Sequence, residues 1–112
     1  VKVVLFIRDF LLGTQISDRL ASVGKEVVFC ERLRELPLDP GAILLDLDEK
    51  DFGNSAFVSA LRKVHPQVQI IGFMRQIQNQ QLTEMKAAGC SVIISQSAAV
   101  KNIQTIIREL SQ

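Results

Sequence analysis

"AILLDLDEKDFG", residues 42–53, passes from an aliphatic run into four carboxylates, Asp46, Asp48, Glu49 and Asp51, within six positions. A short apolar run that follows a glycine and ends in acid reads as a strand buried on both faces. Its acids lie where the chain regains water, or where it meets a phosphate or a metal ion. The rest of the sequence has to choose between these.

Four more runs of the same kind flank it: "VKVVLFI" (1–7), "EVVFC" (26–30), "VQIIGF" (68–73) and "SVIIS" (91–95). The segments between them have helical spacing. Leu12, Ile16, Leu20 and Val23 precede Gly24; Phe57, Leu61 and Val64 precede Pro66; Leu82 and Met85 precede Gly89; Val100, Ile103, Ile107 and Leu110 form the last stripe. Glycine or proline just beyond an apolar stripe is how helices end. Only "ERLREL" (31–36) is poor, because Pro37 cuts it to one or two turns. The order is (βα)5, and right-handed crossovers wind such a chain into a doubly wound, five-stranded parallel sheet with helices on both faces. Sites in such sheets form beyond the carboxyl ends of the strands.

The totals agree with one α/β domain over residues 1–112 and narrow its partners. Apolar residues make up 47% and charged residues 22% of the 112, and no apolar run reaches the ~20 residues that span a bilayer. Thirteen Lys and Arg against twelve Asp and Glu leave a net charge of +1. The basic residues are scattered from Lys2 to Arg108, which argues against nucleic-acid binding. Cys30 and Cys90 make no CxxC pair and His65 is the only histidine, so a zinc site lacks ligands and the expected compartment is a reducing cytoplasm. Both cysteines are expected as small buried apolar residues, and His65 as a polar group closing the third helical segment. Arg8 and Asp9 interrupt the first apolar stretch, unlike a signal peptide. The chain starts at Val1 rather than Met, which favours a piece of a longer protein.

With Arg8 and Asp9 at the first strand end, Asp46 at the third, Met74 at the fourth and Gln96 and Ser97 at the fifth, the chain resembles a response-regulator receiver domain. "GAILLDLD" (41–48), "LRKVHPQVQIIGF" (61–73) and "MKAAGCSVIIS" (85–95) carry the likeness. It implies a flavodoxin-like, CheY-like fold with strand order 2-1-3-4-5. It also implies a site in which two acids and a phosphoacceptor aspartate hold Mg2+, while a lysine and a hydroxyl contact the phosphoryl group.

Residue by residue, Asp46 falls at the phosphoacceptor position and Asp9 at the second of the paired acids. Arg8 stands where the first acid should be. Met74 replaces the hydroxyl, Gln96 the lysine, Ser97 the proline after it, and Ile93 the aromatic switch residue. The chain therefore reads as an atypical receiver, a pseudo-receiver without competent phosphotransfer, no enzyme, and no cofactor; Mg2+ belongs only to the rival reading, a receiver phosphorylated on Asp46. A small-molecule sensor using the same cleft is the third reading, against which no GxGxxG or GxxxxGK[ST] loop appears.

A guanidinium in place of a carboxylate changes the local charge by two units, so Arg8 is expected to exclude the ion and to pair with Asp46 or Asp9. Asp48, Glu49 and Asp51 are expected to be solvated, and Met74 and Ile93 to pack in the core. "RQIQNQQLTEM" (75–85) crowds uncharged amides at the fourth helical segment. The resemblance places a partner or homodimer contact on the fourth-helix, fifth-strand, fifth-helix face, with Gln76, Gln80, Gln81, Met85, Ile93 and Ile103 as candidates, and allows a covalently joined output domain.

Overall fold

The computed structural model describes residues 2–110. Strands β1 (Lys2–Phe6), β2 (Glu26–Phe29), β3 (Pro40–Asp46), β4 (Gln69–Met74) and β5 (Val92–Ser95) form one sheet in the order β2-β1-β3-β4-β5. Every pairing is parallel. The expected order and the double winding are both present. Helices α1 (Phe10–Ala21), α2 (Ser55–Val64), α3 (Asn79–Ala88) and α4 (Gln96–Leu110) connect or follow them. The weak second helical segment is only a 3-10 turn, Leu33–Glu35, so the fourth and fifth helical segments of the sequence are α3 and α4.

Alternating side chains of the central strands feed two cores. Val3, Leu5, Ile7, Ala42, Leu44, Ile71 and Phe73 meet α1 and α4 on one face. Val4, Phe6, Ile43, Leu45, Ile70 and Met74 meet α2 and α3 on the other, with Cys30 and Cys90 buried among them as expected. Burial on both faces explains why these strands are continuous aliphatic runs rather than alternating ones. Two stripe residues differ from expectation. Val23 follows the end of α1 and Val64 lies on the outer side of α2's last turn, and both are half exposed. Val58 takes the inward position in α2.

The helices stop for local reasons. Asp9 and Asn54 accept hydrogen bonds from the backbone N–H of Leu12 and Phe57, capping α1 and α2. Gly24 (φ 80°) and Gly89 (φ 141°) follow α1 and α3 in conformations that side-chain-bearing residues avoid. Below the sheet, at the amino ends of the strands, Arg62 of α2 donates to the carbonyls of His65, Pro66, Val68 and Gly89 and to Ser91 Oγ. One side chain thereby binds the end of α2, the start of β4 and the turn into β5.

Candidate functional site

The sheet reverses its winding between β1 and β3, and the loops beyond their carboxyl ends carry Arg8, Asp9 and Asp46. A cleft of about 430 Å³ lies there, lined by Arg8, Asp9, Asp46, Asp48, Glu49 and Arg75. The topology brings together the first-strand and third-strand residues singled out in the sequence. It does not pair them as expected.

Arg8 is ion-paired with neither Asp46 nor Asp9. Its Nε donates to Glu31 Oε1 at 3.2 Å, and its Nη1 donates to Glu49 Oε1 at 3.0 Å and to Asp51. The guanidinium carbon lies 4.9 Å from the centroid of the Phe52 ring, within cation–π range. The hydrogen bond to Asp51 and the surrounding acids hold the Arg8 pKa above its usual value. Asp51 is solvent-exposed as expected and Glu49 is half-buried, and both hold Arg8. The physical reason is competition. Asp9 turns its carboxylate to cap α1, and Asp46 Oδ1 accepts from the Asp48 N–H at 3.0 Å. The loop after β3 meanwhile presents two acids that, among the described residues, ion-pair with no other cation.

The same loop is fastened on its other side. Asp48 Oδ2 accepts from the Arg75 N–H at 2.9 Å, and Gln81 Nε2 donates to the Leu47 carbonyl at 3.1 Å. Asp48 thus also has a defined partner. Beneath the loop, Phe6, Phe52 and Phe57 pack edge-on or tilted with centroids 5.1–5.4 Å apart. Asp46 is half-buried, and burial pushes its carboxyl above the usual range against the opposing pull of the Asp48 N–H.

These donors do not fit a divalent cation. Octahedral Mg2+ requires converging oxygens, whereas here the Arg8 guanidinium lines the cleft and Asp9 serves as a helix cap. No group of three or more His, Cys, Asp or Glu side chains converges as a metal site among the described residues. At the fourth strand end Met74 is fully buried in the α2–α3 core, and at the fifth Gln96 begins α4 as a neutral amide. Ile93 is half-buried and packs against the same core as Met74.

On the face expected to meet a partner, Gln76 and Gln80 are exposed and Ile77 is 41% exposed. Met85 and Ile103 are not surface residues. Met85 is 2% and Ile103 0% exposed, because both lie on the inward stripes of their helices. Gln81 is half-buried and already committed to Leu47.

Glu31, Phe52 and Arg75 had no place in the sequence reading. Nothing near them in sequence announces Arg8, which is 23 residues from Glu31 and 43 from Asp51. The cap role of Asp9 was legible, since an acid directly before an apolar helical stripe is an N-cap signal.

No protein-family model matches this chain, and no curated protein matches it. Solved structures do. A response regulator from Thermotoga maritima superposes with a TM-score of 0.82 at 11% identity, covering 98% of this chain and 96% of its own. A response regulator receiver domain protein from Clostridium thermocellum gives 0.83 at 11% identity, covering 99% and 94%. The RcsB response regulator of Salmonella typhimurium, whose structure concerns DNA interaction, gives 0.77 at 15% identity, covering 98% of this chain and 59% of that one. The chain has the CheY-like fold of response-regulator receiver domains.

Proposed function

We propose that the chain is a phosphorylation-independent pseudo-receiver, a cytoplasmic signalling module that works by protein–protein interaction rather than catalysis. The observation that carries this reading is the placement of Arg8. A side chain at the position of the first metal-binding acid is tethered to Glu31, Glu49 and Asp51, so the cleft already contains its cation. Met74 and Gln96 support the same reading, because neither supplies the hydroxyl or the positive charge that would register a phosphoryl group.

The binding surface in this reading is the face formed by α3, β5 and α4, with exposed Gln76 and Gln80 and half-buried Gln81 and Ile93. Uncharged amides can bond a partner without the desolvation of a charge. The partner is a protein, a second copy or a covalently joined output domain, and the signal reaches it through assembly. The test is an amide NMR titration with Mg2+ followed by beryllofluoride, a mimic of the phosphoryl group. An unchanged spectrum is expected. Saturable shifts centred on Asp9, Asp46 and Gln96 would overturn the proposal and make Asp46 a phosphoacceptor.

A further inference from the structure

Two apolar features at opposite ends of the sheet are left over by this function. At the carboxyl ends of β1 and β2, a pocket of about 210 Å³ is lined by Ile7, Phe10, Thr14 and Phe29, with Arg8 and Asp9 at its edge. Phe10 is 86% and Phe29 53% exposed. Phe29 reaches over α1 because residue 13 is glycine: a Cβ there would stand 2.9 Å from the Phe29 ring. At the amino end of β3, "PLDP" (37–40) presents Leu38 with 98% of its surface in solvent. Pro37 and Pro40 restrict the backbone around it, so little conformational freedom is left to lose when Leu38 is buried.

Charge divides along the same axis. Around the pocket end, seven carboxylates (Asp9, Glu31, Glu35, Asp46, Asp48, Glu49 and Asp51) face five cations (Arg8, Arg32, Arg34, Lys50 and Arg75), a net −2. Around the Leu38 end, the first residues of the strands and the last turns of the helices carry seven Lys and Arg, among them Lys2, Lys25, Lys63 and Lys86. Four acids, Asp18, Glu26, Asp39 and Glu109, oppose them, leaving +3. A chain of nearly zero net charge is thus polar from end to end.

From the knob, the pocket and the opposed charges we infer that this chain self-associates head to tail, Leu38 of one copy entering the Phe10–Phe29 pocket of the next. Such a contact is heterologous: each copy uses a different surface at either end and retains one free knob and one free pocket. Growth continues unless the rotation between copies closes a ring. The opposed ends favour this orientation over a symmetric pair, which would bring like charges together.

The test is sedimentation equilibrium of the whole chain over a wide concentration range, with two capping variants. The wild type is expected to gain mass beyond a dimer, less so at high salt because the end charges are screened. Leu38→Glu removes the knob and places an acid against the acidic end; Phe10→Lys spoils the pocket and places a cation against the basic end. Each alone should be monomeric, and an equimolar mixture should form a heterodimer and nothing larger, since one intact knob meets one intact pocket. Leu38→Ala should weaken association roughly 10- to 100-fold, the change expected for losing one buried aliphatic side chain. Thr14→Arg, filling the pocket from another wall, serves as a second pocket variant should Phe10→Lys fail to fold. A wild type that stays monomeric, a dimer that persists in Leu38→Glu, or a mixture of the two capping variants that stays monomeric would each overturn the inference.

Discussion

Gly53→Ala should damage this protein more than any change of equal size on its surface. Gly53 ends the loop that carries Glu49, Asp51 and Phe52, and its N–H donates to the Glu49 carbonyl at 2.8 Å. A Cβ at this position would lie 1.9 Å from the Leu47 carbonyl oxygen, 2.7 Å from its carbonyl carbon and 3.0 Å from its Cα. All three are backbone atoms, so no rotamer change can make room. Forcing in one methyl group requires a shift of the kind that costs about 1–3 kcal/mol, and losing the Gly53–Glu49 hydrogen bond adds about 1 kcal/mol.

A total of about 3 kcal/mol is a large share of the ~5–15 kcal/mol that holds a domain of this size. At roughly 4 °C per kcal/mol it lowers the melting temperature by roughly 12 °C. The assay is thermal melting by far-UV circular dichroism, with Gly24→Ala as the control. Gly24 has φ 80°, and a Cβ added there would meet nothing within 4 Å, so its substitution carries only the conformational penalty of about 1 kcal/mol. If Gly53→Ala melted no lower than Gly24→Ala, the close approach of residue 53 to Leu47 would not be a property of the folded protein.

Three further outcomes are expected. Arg62→Ala strands four carbonyl groups beneath the sheet and should cost about 3 kcal/mol in urea unfolding, with Arg62→Lys recovering less than half because an ammonium cannot reproduce the planar fork; a lysine variant as stable as the wild type would contradict this. Burial pushes the Cys90 thiol up to about 11, so the folded protein keeps that proton in a window, from about pH 9 upward, where the unfolded chain releases it. Stability should fall through this window and Cys90→Ala should reduce the slope. Burial likewise raises the Asp46 carboxyl, so stability rises as pH falls through its folded-state pKa. Asp46→Asn should therefore raise the melting temperature near pH 7 and not near pH 3, where the carboxyl is protonated in both states; a lower value near pH 7 would mean the charge is held favourably.

The five strands were legible because burial on both faces writes them as uninterrupted aliphatic runs, and Gly24, Pro66 and Gly89 marked the ends of the helical segments. Val23 and Val64 were misplaced because an apolar residue at a helix end continues the stripe in sequence after the chain has turned away from the core. Met85 and Ile103 show the converse: periodicity identifies the stripe, but only the packed structure says that it faces inward. The positions of Arg8, Asp9 and Asp46 at one edge followed from topology. Their pairing did not, since Asp9 is claimed by a cap three residues away while Arg8 is claimed by acids on two other loops. Arg62 left no trace in the sequence, because its partners are mostly backbone carbonyls, which every residue possesses.

Leu47 occupies an unusual position relative to two glycines. Its carbonyl excludes a side chain at residue 53, and its Cδ1 would lie 2.5 Å from a Cβ at residue 72 on the neighbouring strand. The two exclusions differ in kind. The first is imposed by backbone and holds whatever residue stands at 47, whereas the second is imposed by a leucine side chain, its Cδ1 at 2.5 Å and its Cγ at 3.0 Å. Residues 47 and 72 are therefore constrained as a pair: Gly72→Ala forces the Leu47 side chain to shift, and that crowding ends once position 47 shrinks to alanine. A library that varied residue 72 alone would record a crowded glycine where the real constraint belongs to the pair.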